Sequence, residues 1–198
     1  MDFKRRLTEC LKLNVPYNPA FTCKGTSAGV LILFGDYILG DQAGITLLLT
    51  RRTDTVETHK GQIAFPGGVH DLTDESIVAT ALRETEEEIG ISRSLINVLG
   101  VLPVFCTITG FSITPVIGVL DRPIDELQLK INPHEIAEVI WTPLRVLKDT
   151  NTYRQEWYSM GDRRYPIHVF QVGVHRVWGA TGSMIRNLLD RVQQVQYI

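Results

Sequence analysis

The chain has 198 residues, 44% of them hydrophobic and 21% charged, the composition of a folded globular protein able to bury one good core. Its formal net charge of -2 argues against the basic face that nonspecific nucleic-acid binding needs, and no apolar run approaches the roughly 20 residues of a membrane span. Cys10, Cys23 and Cys106 are an odd number without metal-ligand spacing, so reduced, mostly buried thiols and a cytoplasmic location are expected.

The first 26 residues begin with "MDFKRRLTECLKL", a charged amphipathic pattern that predicts an N-terminal helix and extension. "SAGVLILFG" (27–35) and "GITLLLTRR" (44–52) then predict two strands of a hairpin in a central sheet. A polar loop leads to a short strand, "QIAFPGG", which ends on a Pro-Gly-Gly break. The next element is a helix with Thr73 or Asp74 as its cap. Val78, Leu82, Thr85 and Ile89 form its largely apolar stripe, and Gly90 stops it. "INVLGVLPVFCT", "FSITPVIGVL", "AEVIWTPL" and "YPIHVFQVGV" predict further strands. A short helix is expected from about Pro143 to Lys148 and a closing helix from about Thr181 to Gln194. No repeat or long linker interrupts this order, so a single domain spanning 1–198 is expected. Strands mixed with three or four helices predict an α/β fold with its sheet covered on both faces, an α/β/α sandwich.

The stretch "ALRETEEEIG" (81–90) carries the chemistry. On a helix, Glu84, Glu87 and Glu88 share one side, and each like-charged pair costs roughly 0.2–0.5 kcal/mol. Such runs are commonly solvated faces. Here, however, a Gly-Gly turn feeds the helix, and closely spaced carboxylates suit a hard cation such as Mg²⁺, which prefers oxygen ligands and would remove the repulsion. Arg83, four before Glu87, can pair with it and fix its rotamer. Gly67 and Gly68 have no Cβ to keep a backbone carbonyl from the same ion. Glu86 lies about 200° around the helix from Glu84 and is expected to be merely solvated.

Residues 67–91, "GGVHDLTDESIVATALRETEEEIGI", resemble the Nudix box, G-x5-E-x7-R-E-U-x-E-E-x-G-U, with U a bulky apolar residue. Arg83, Glu84, Glu87, Glu88, Gly90 and Ile91 fit it. Thr85 stands where an aliphatic residue is usual, and Gly68 lies seven rather than six positions before Glu75, which leaves the role of Glu75 open. The resemblance implies an enzyme that hydrolyses a nucleoside diphosphate linked to another moiety, on an α/β/α sandwich with a central mixed β-sheet. It implies Mg²⁺ or Mn²⁺ as cofactor, with Glu84, Glu87 and Glu88 as ligands, the Gly68 carbonyl as a further ligand and Arg83 as their orienter. The general base comes from the helix or from a later loop. "NPHEIAEVIW" offers Glu135 and Glu138, of which Glu135, nearer the loop end, is preferred. A Nudix-fold sensor that binds without cleaving would be expected to lose a helix glutamate, and this chain keeps all three.

"LLTRRTDTVETHKGQIAFPGG" (48–68) resembles the upstream motif of the coenzyme A pyrophosphatase branch, LLTxR[SA]x3Rx3Gx3[FY]PGG. Leu48, Leu49, Thr50, Arg52, Gly61, Phe65, Pro66, Gly67 and Gly68 keep its register without a gap, while Thr53 replaces Ser or Ala and Glu57 replaces Arg. "GVLPVFCTITGFSITPVIG" and "VWGATGSMIRNLL" are also similar to that branch. It implies coenzyme A or a derivative as substrate, cut to 3′,5′-ADP and 4′-phosphopantetheine. Arg51, Arg52, Lys60 and Phe65 are the candidate substrate contacts, and a nucleoside diphosphate sugar or ADP-ribose is the alternative substrate. The expected partner is this small nucleotide, and the expected state a monomer or homodimer. The five histidines, His59, His70, His134, His168 and His175, are expected to be local hydrogen-bonding residues. His59 and His70 are the two that flank the substrate loop.

Overall fold

The computed structural model describes residues 3–13, 25–39, 42–55 and 60–194. Helix α1 (Phe3–Leu11) precedes strands β1 (Thr26–Leu39), β2 (Gln42–Arg52), β3 (Ile63–Ala64) and β4 (Gly67–Val69), then helix α2 (Ile77–Ile89). Strands β5 (Ile96–Val101), β6 (Phe105–Cys106), β7 (Phe111–Leu120) and β8 (Ile136–Pro143) follow, then α3 (Leu144–Lys148). A hairpin β9 (Tyr153–Met160) and β10 (Arg163–Val172), a short β11 (His175–Val177) and helix α4 (Gly179–Gln194) complete the order.

The main sheet runs β3-β2-β1-β7-β5, with β4 on β1, β6 on β7 and β8 on β2. It is mixed, because β1 and β7 run parallel while the other pairs are antiparallel. Side-chain alternation along β1 and β2 sorts the core into two layers. Leu31, Leu33 and Leu48 pack with Ala81 and Ile89 of α2 on one face. Ile32, Phe34, Leu47 and Leu49 pack on the other, with Leu7 and Cys10 of α1, Leu144 of α3 and Met184, Ile185 and Leu188 of α4. The result is the expected α/β/α sandwich. No helix among the described residues is long and apolar enough to cross a membrane.

Several expectations are corrected. "QIAFPGG" forms two pieces with different neighbours: β3 pairs with β2, and β4 pairs with the first half of β1. Phe65 between them is 3% exposed and belongs to the α4-side core, so it packs the fold rather than offering a surface contact. Strand β9, "YRQEWYSM", was not expected; with β10 and β11 it makes a separate three-stranded sheet. Cys106 is disulfide-bonded, whereas Cys10 is a buried free thiol. The expectation of reduced thiols therefore fails at Cys106, and the argument for a cytoplasmic location that used it lapses. Cys23, Glu57 and His59 lie outside the described residues.

Candidate active site

The site is built where β4 meets α2. Ser76, not Thr73 or Asp74, is the N-cap, its hydroxyl accepting from the Ala79 amide. At the other end Gly90 adopts the left-handed conformation, φ 76°, and its amide donates to the Glu86 carbonyl. A side chain there would collide with Lys130, whose backbone lies under 3 Å from where a Cβ would sit. The segment after β7 crosses the helix end at that point. The Lys130 amide donates to the Ile89 carbonyl and the Asn132 amide to the Glu88 carbonyl, so two orphan carbonyls of the last turn are satisfied by the loop that carries Glu135.

Gly68 pairs with Gly29 across the β1–β4 ladder, and this brings its backbone against Glu84. A Cβ on Gly68 would lie 2.5 Å from the Glu84 carboxyl carbon and 2.6 Å from both oxygens. The neighbouring Gly67 amide donates to Glu88 Oε2 at 3.2 Å. Glu88 is 3% exposed. Burial pushes its carboxyl up to about 8, with the charges of Glu84 and Glu135 adding to the push and the Gly67 amide and Arg52 opposing it. Glu84 is raised by burial as well, against the pull of Arg83. Glu135 accepts from Asn132 Nδ2 at 3.2 Å. Glu138, the other candidate base, is turned elsewhere, to Arg51 at 3.4 Å and His175 at 3.4 Å.

Arg83 is the hub of the charge network. Its Nε and Nη2 hold Asp74 in a bidentate pair at 2.9 and 3.0 Å, and its Nη1 lies 2.9 Å from both Glu84 and Glu87. Asp74 is further gripped by the Thr80 hydroxyl at 2.8 Å and the Asp71 amide at 3.1 Å. The Arg83 guanidinium holds the Asp74 carboxyl well below the usual carboxylate range. Asp74, whose local pattern reads as that of a helix cap, is thus a site residue through Arg83. Glu75 is exposed, and Asp74 one position earlier anchors Arg83. The extra loop residue was the available signal. Glu86 points away, to Arg93 at 3.4 Å.

The candidate substrate contacts separate. Arg51 and Arg52 are successive strand residues and face opposite sides of the sheet: Arg51 pairs with Glu138, and Arg52 Nη1 lies 3.6 Å from Glu88 Oε1. Lys60 is exposed at the edge of the loop before β3. Of the described histidines, His70 Nδ1 bonds the Thr80 hydroxyl at 2.8 Å, His168 Nδ1 bonds the Tyr153 hydroxyl at 3.0 Å, and His175 Nε2 lies 3.4 Å from Glu138.

Among the described residues no three His, Cys, Asp or Glu side chains form a ready-made metal cluster, and Arg83 and Arg52 face the carboxylates. The donor set nevertheless fits a hard divalent cation. It consists of carboxylate oxygens beside a side-chain-free Gly68 backbone, and Glu88 is buried without a hydrogen-bonded counter-ion. Replacing Arg83 by Lys keeps a charge but loses the fork that spans Asp74 and the glutamates. Apparent Mg²⁺ affinity is expected to fall roughly 10- to 100-fold, with Asp74→Asn close behind. Mg²⁺ titration of the rate measures it, and an unchanged midpoint in both variants would leave the pair as a purely structural helix brace.

A family model described as the NUDIX domain matches residues 26–160. An "Uncharacterized Nudix hydrolase NudL" of Photorhabdus laumondii is 39% identical over 148 residues, covering 75% of this chain and 78% of the relative. The protein of the same description from Pectobacterium atrosepticum is 38% identical over 143 residues, covering 72% and 73%. Among solved structures, the Nudix hydrolase RenU of M. smegmatis has a TM-score of 0.57 at 18% identity, covering 90% of this chain and 91% of that one. A MutT/nudix family protein from Enterococcus faecalis has a TM-score of 0.52 at 20% identity, covering 98% and 70%. At those identities the structural likeness speaks for the fold alone. The family match and the sequence relatives together mean that this chain belongs to the Nudix hydrolase family, enzymes that act on phosphoanhydride bonds.

Proposed function

We propose that this Nudix hydrolase splits the diphosphate linkage of coenzyme A or its derivatives, giving 3′,5′-ADP and 4′-phosphopantetheine or its acyl form. The observation that carries the reading is the ungapped register from Leu48 to Gly68, which the generic box does not require. Glu84, Glu87 and Glu88, with the Gly68 carbonyl, would hold Mg²⁺ or Mn²⁺. When bound, the ion neutralises phosphate oxygens and acidifies an attacking water.

The residues of the chain supply the rest. Arg83, anchored by Asp74, keeps Glu84 and Glu87 from drifting apart. Glu135 is the preferred general base, because its loop is tied to the last turn of α2 and its charge is felt by both Glu84 and Glu88. It would take one proton as the water oxygen bonds to phosphorus, and the departing phosphate carries away the bridging oxygen. Arg52 and Lys60 would meet the phosphates. Arg51 is the weaker candidate, since it is engaged by Glu138 on the other face.

Purified protein given Mg²⁺ and equal concentrations of coenzyme A, dephospho-coenzyme A and ADP-ribose is expected to cleave coenzyme A with the highest kcat/KM. Chromatography of the products should show 3′,5′-ADP. Glu57→Arg tests the departure from the branch motif. If a cation there reads the 3′-phosphate, it improves kcat/KM for coenzyme A and hardly changes that for the dephospho form. A preference for ADP-ribose in both wild type and variant would discard the coenzyme A reading and leave the family chemistry standing.

A further inference from the structure

We infer that Arg52 is an exchangeable partner of Glu88, which stands beside that side chain in the metal-free protein and turns to a phosphate oxygen of the substrate when a divalent cation takes Glu88. The inference rests on the metal-dependent reading above and adds an order of events to it.

The backbone sets up the exchange. Alternation along β2 sends Arg52 to the α2 side, with Leu48, and Arg51 to the opposite side. The pairing with β8 slips at this point: Arg51 lies opposite Glu138, but Arg52 lies opposite Ile136, so one residue of β8 is bulged out. Bulges of this kind re-aim a side chain at the end of a strand. The main chain of Arg52 stays fixed through its amide, which donates to the Gln62 carbonyl at 3.0 Å.

The two site arginines are held in different ways. Arg83 is committed, with a bidentate carboxylate pair on one edge and two more carboxylates on its other nitrogen. Arg52 is not. Its 3.6 Å approach to Glu88 lies beyond hydrogen-bonding distance, and among the described residues its buried Nε has no hydrogen-bond partner. Buried unpaired donors are rare and call for a missing acceptor. The side chain as a whole is 25% exposed, so a turn of the guanidinium would bring that idle donor to an incoming anion. A phosphate is the planar fork's preferred partner after a carboxylate.

Charge supplies the ordering. A divalent cation on Glu88 repels a guanidinium beside it, so the two compete for the carboxylate in the absence of substrate. Once metal is bound, the arginine is left without an anion until the substrate brings one. Arg52 therefore opposes metal binding alone and favours phosphate binding afterwards.

Both halves are measurable in the full-length protein without turnover. Mn²⁺ binding is followed by the loss of its free paramagnetic resonance signal, and binding of the non-hydrolysable imidodiphosphate by calorimetry at saturating Mn²⁺. Two neutral replacements of similar length, Arg52→Gln and Arg52→Met, are expected to bind Mn²⁺ roughly 5- to 20-fold more tightly than wild type. They should bind imidodiphosphate about tenfold more weakly. Arg52→Lys, which keeps the charge and loses the fork, should stay within about twofold of wild type for Mn²⁺ and still lose affinity for imidodiphosphate. Unchanged or weaker Mn²⁺ binding in both neutral variants overturns the inference, as does unchanged imidodiphosphate binding, and either leaves the metal-dependent reading intact. Wild-type Mn²⁺ binding that survives Glu88→Gln would overturn both together.

Discussion

Glu88→Gln and Glu84→Gln are each expected to lower kcat by at least about 100-fold at saturating Mg²⁺, with the circular dichroism spectrum unchanged. The amide keeps the shape of the side chain, and at position 88 its oxygen can still accept the Gly67 amide. It cannot neutralise a cation, and catalysis of this class is mainly charge placement. Glu86→Gln is the control within the same helix. Its carboxylate is turned to Arg93 on the outer face, and the variant should be nearly silent. Retention of more than about a third of the wild-type kcat by either Gln variant would remove that residue from the metal platform.

The same Glu88 variant reports on stability through pH. In the metal-free protein Glu88 is raised from 4.5 to about 8. A group whose folded pKa is raised contributes stability below its unfolded pKa and loses it as pH climbs through the folded one. Between pH 6 and 8 the folded protein keeps this proton and the unfolded chain does not. Wild type in EDTA should therefore lose about 2 kcal/mol across that window relative to Glu88→Gln. Urea midpoints at the two pH values measure it, and parallel pH profiles would show that burial does not act on Glu88 as argued. Bound metal should flatten the wild-type slope, since it replaces the proton.

Much of this architecture is legible along the chain. The run 111–120 forms a strand with those bounds because its β-branched residues fit a pleated, half-buried surface. Gly90 ends α2 as expected, since only a residue tolerant of positive φ fits there. What escaped the sequence reading is tertiary in origin. Strand β9 has no apolar face: Arg154, Gln155, Trp157 and Ser159 are all exposed, and pairing with β10 along eight positions makes it a strand. Asp74 reads locally as a cap, and only the fold brings it to Arg83. Phe65 lies in a substrate-like motif, yet its ring is needed by the core. Arg51 and Arg52 could have been separated in advance, because a strand sends neighbours to opposite faces. The chemistry of the box was legible because its residues share one helix, whereas Glu135 arrives from a loop docked on the helix end.

Gly68→Ala is expected to lower kcat by about 100-fold while sparing the fold, although it adds one methyl group to a residue that makes no side-chain contact. Gly68 does not have positive φ, so alanine is allowed by its backbone and the cost is steric. The new Cβ would lie 2.5 Å from the Glu84 carboxyl carbon, well inside van der Waals contact. The backbone cannot retreat easily, since Gly68 is held in the β1–β4 ladder opposite Gly29. The carboxylate of Glu84 must therefore move, breaking its 2.9 Å approach to Arg83. A displacement of about 1 Å at a catalytic group is enough for a loss of that order. The cause can be separated from general damage by shortening the side chain that is struck. Glu84→Asp alone should also be slow, but in its presence Gly68→Ala should cost little more, because the clash has already been relieved. Additive losses in the double variant, or near-normal turnover in Gly68→Ala itself, would show that the Gly68–Glu84 approach does not position the carboxylate for catalysis.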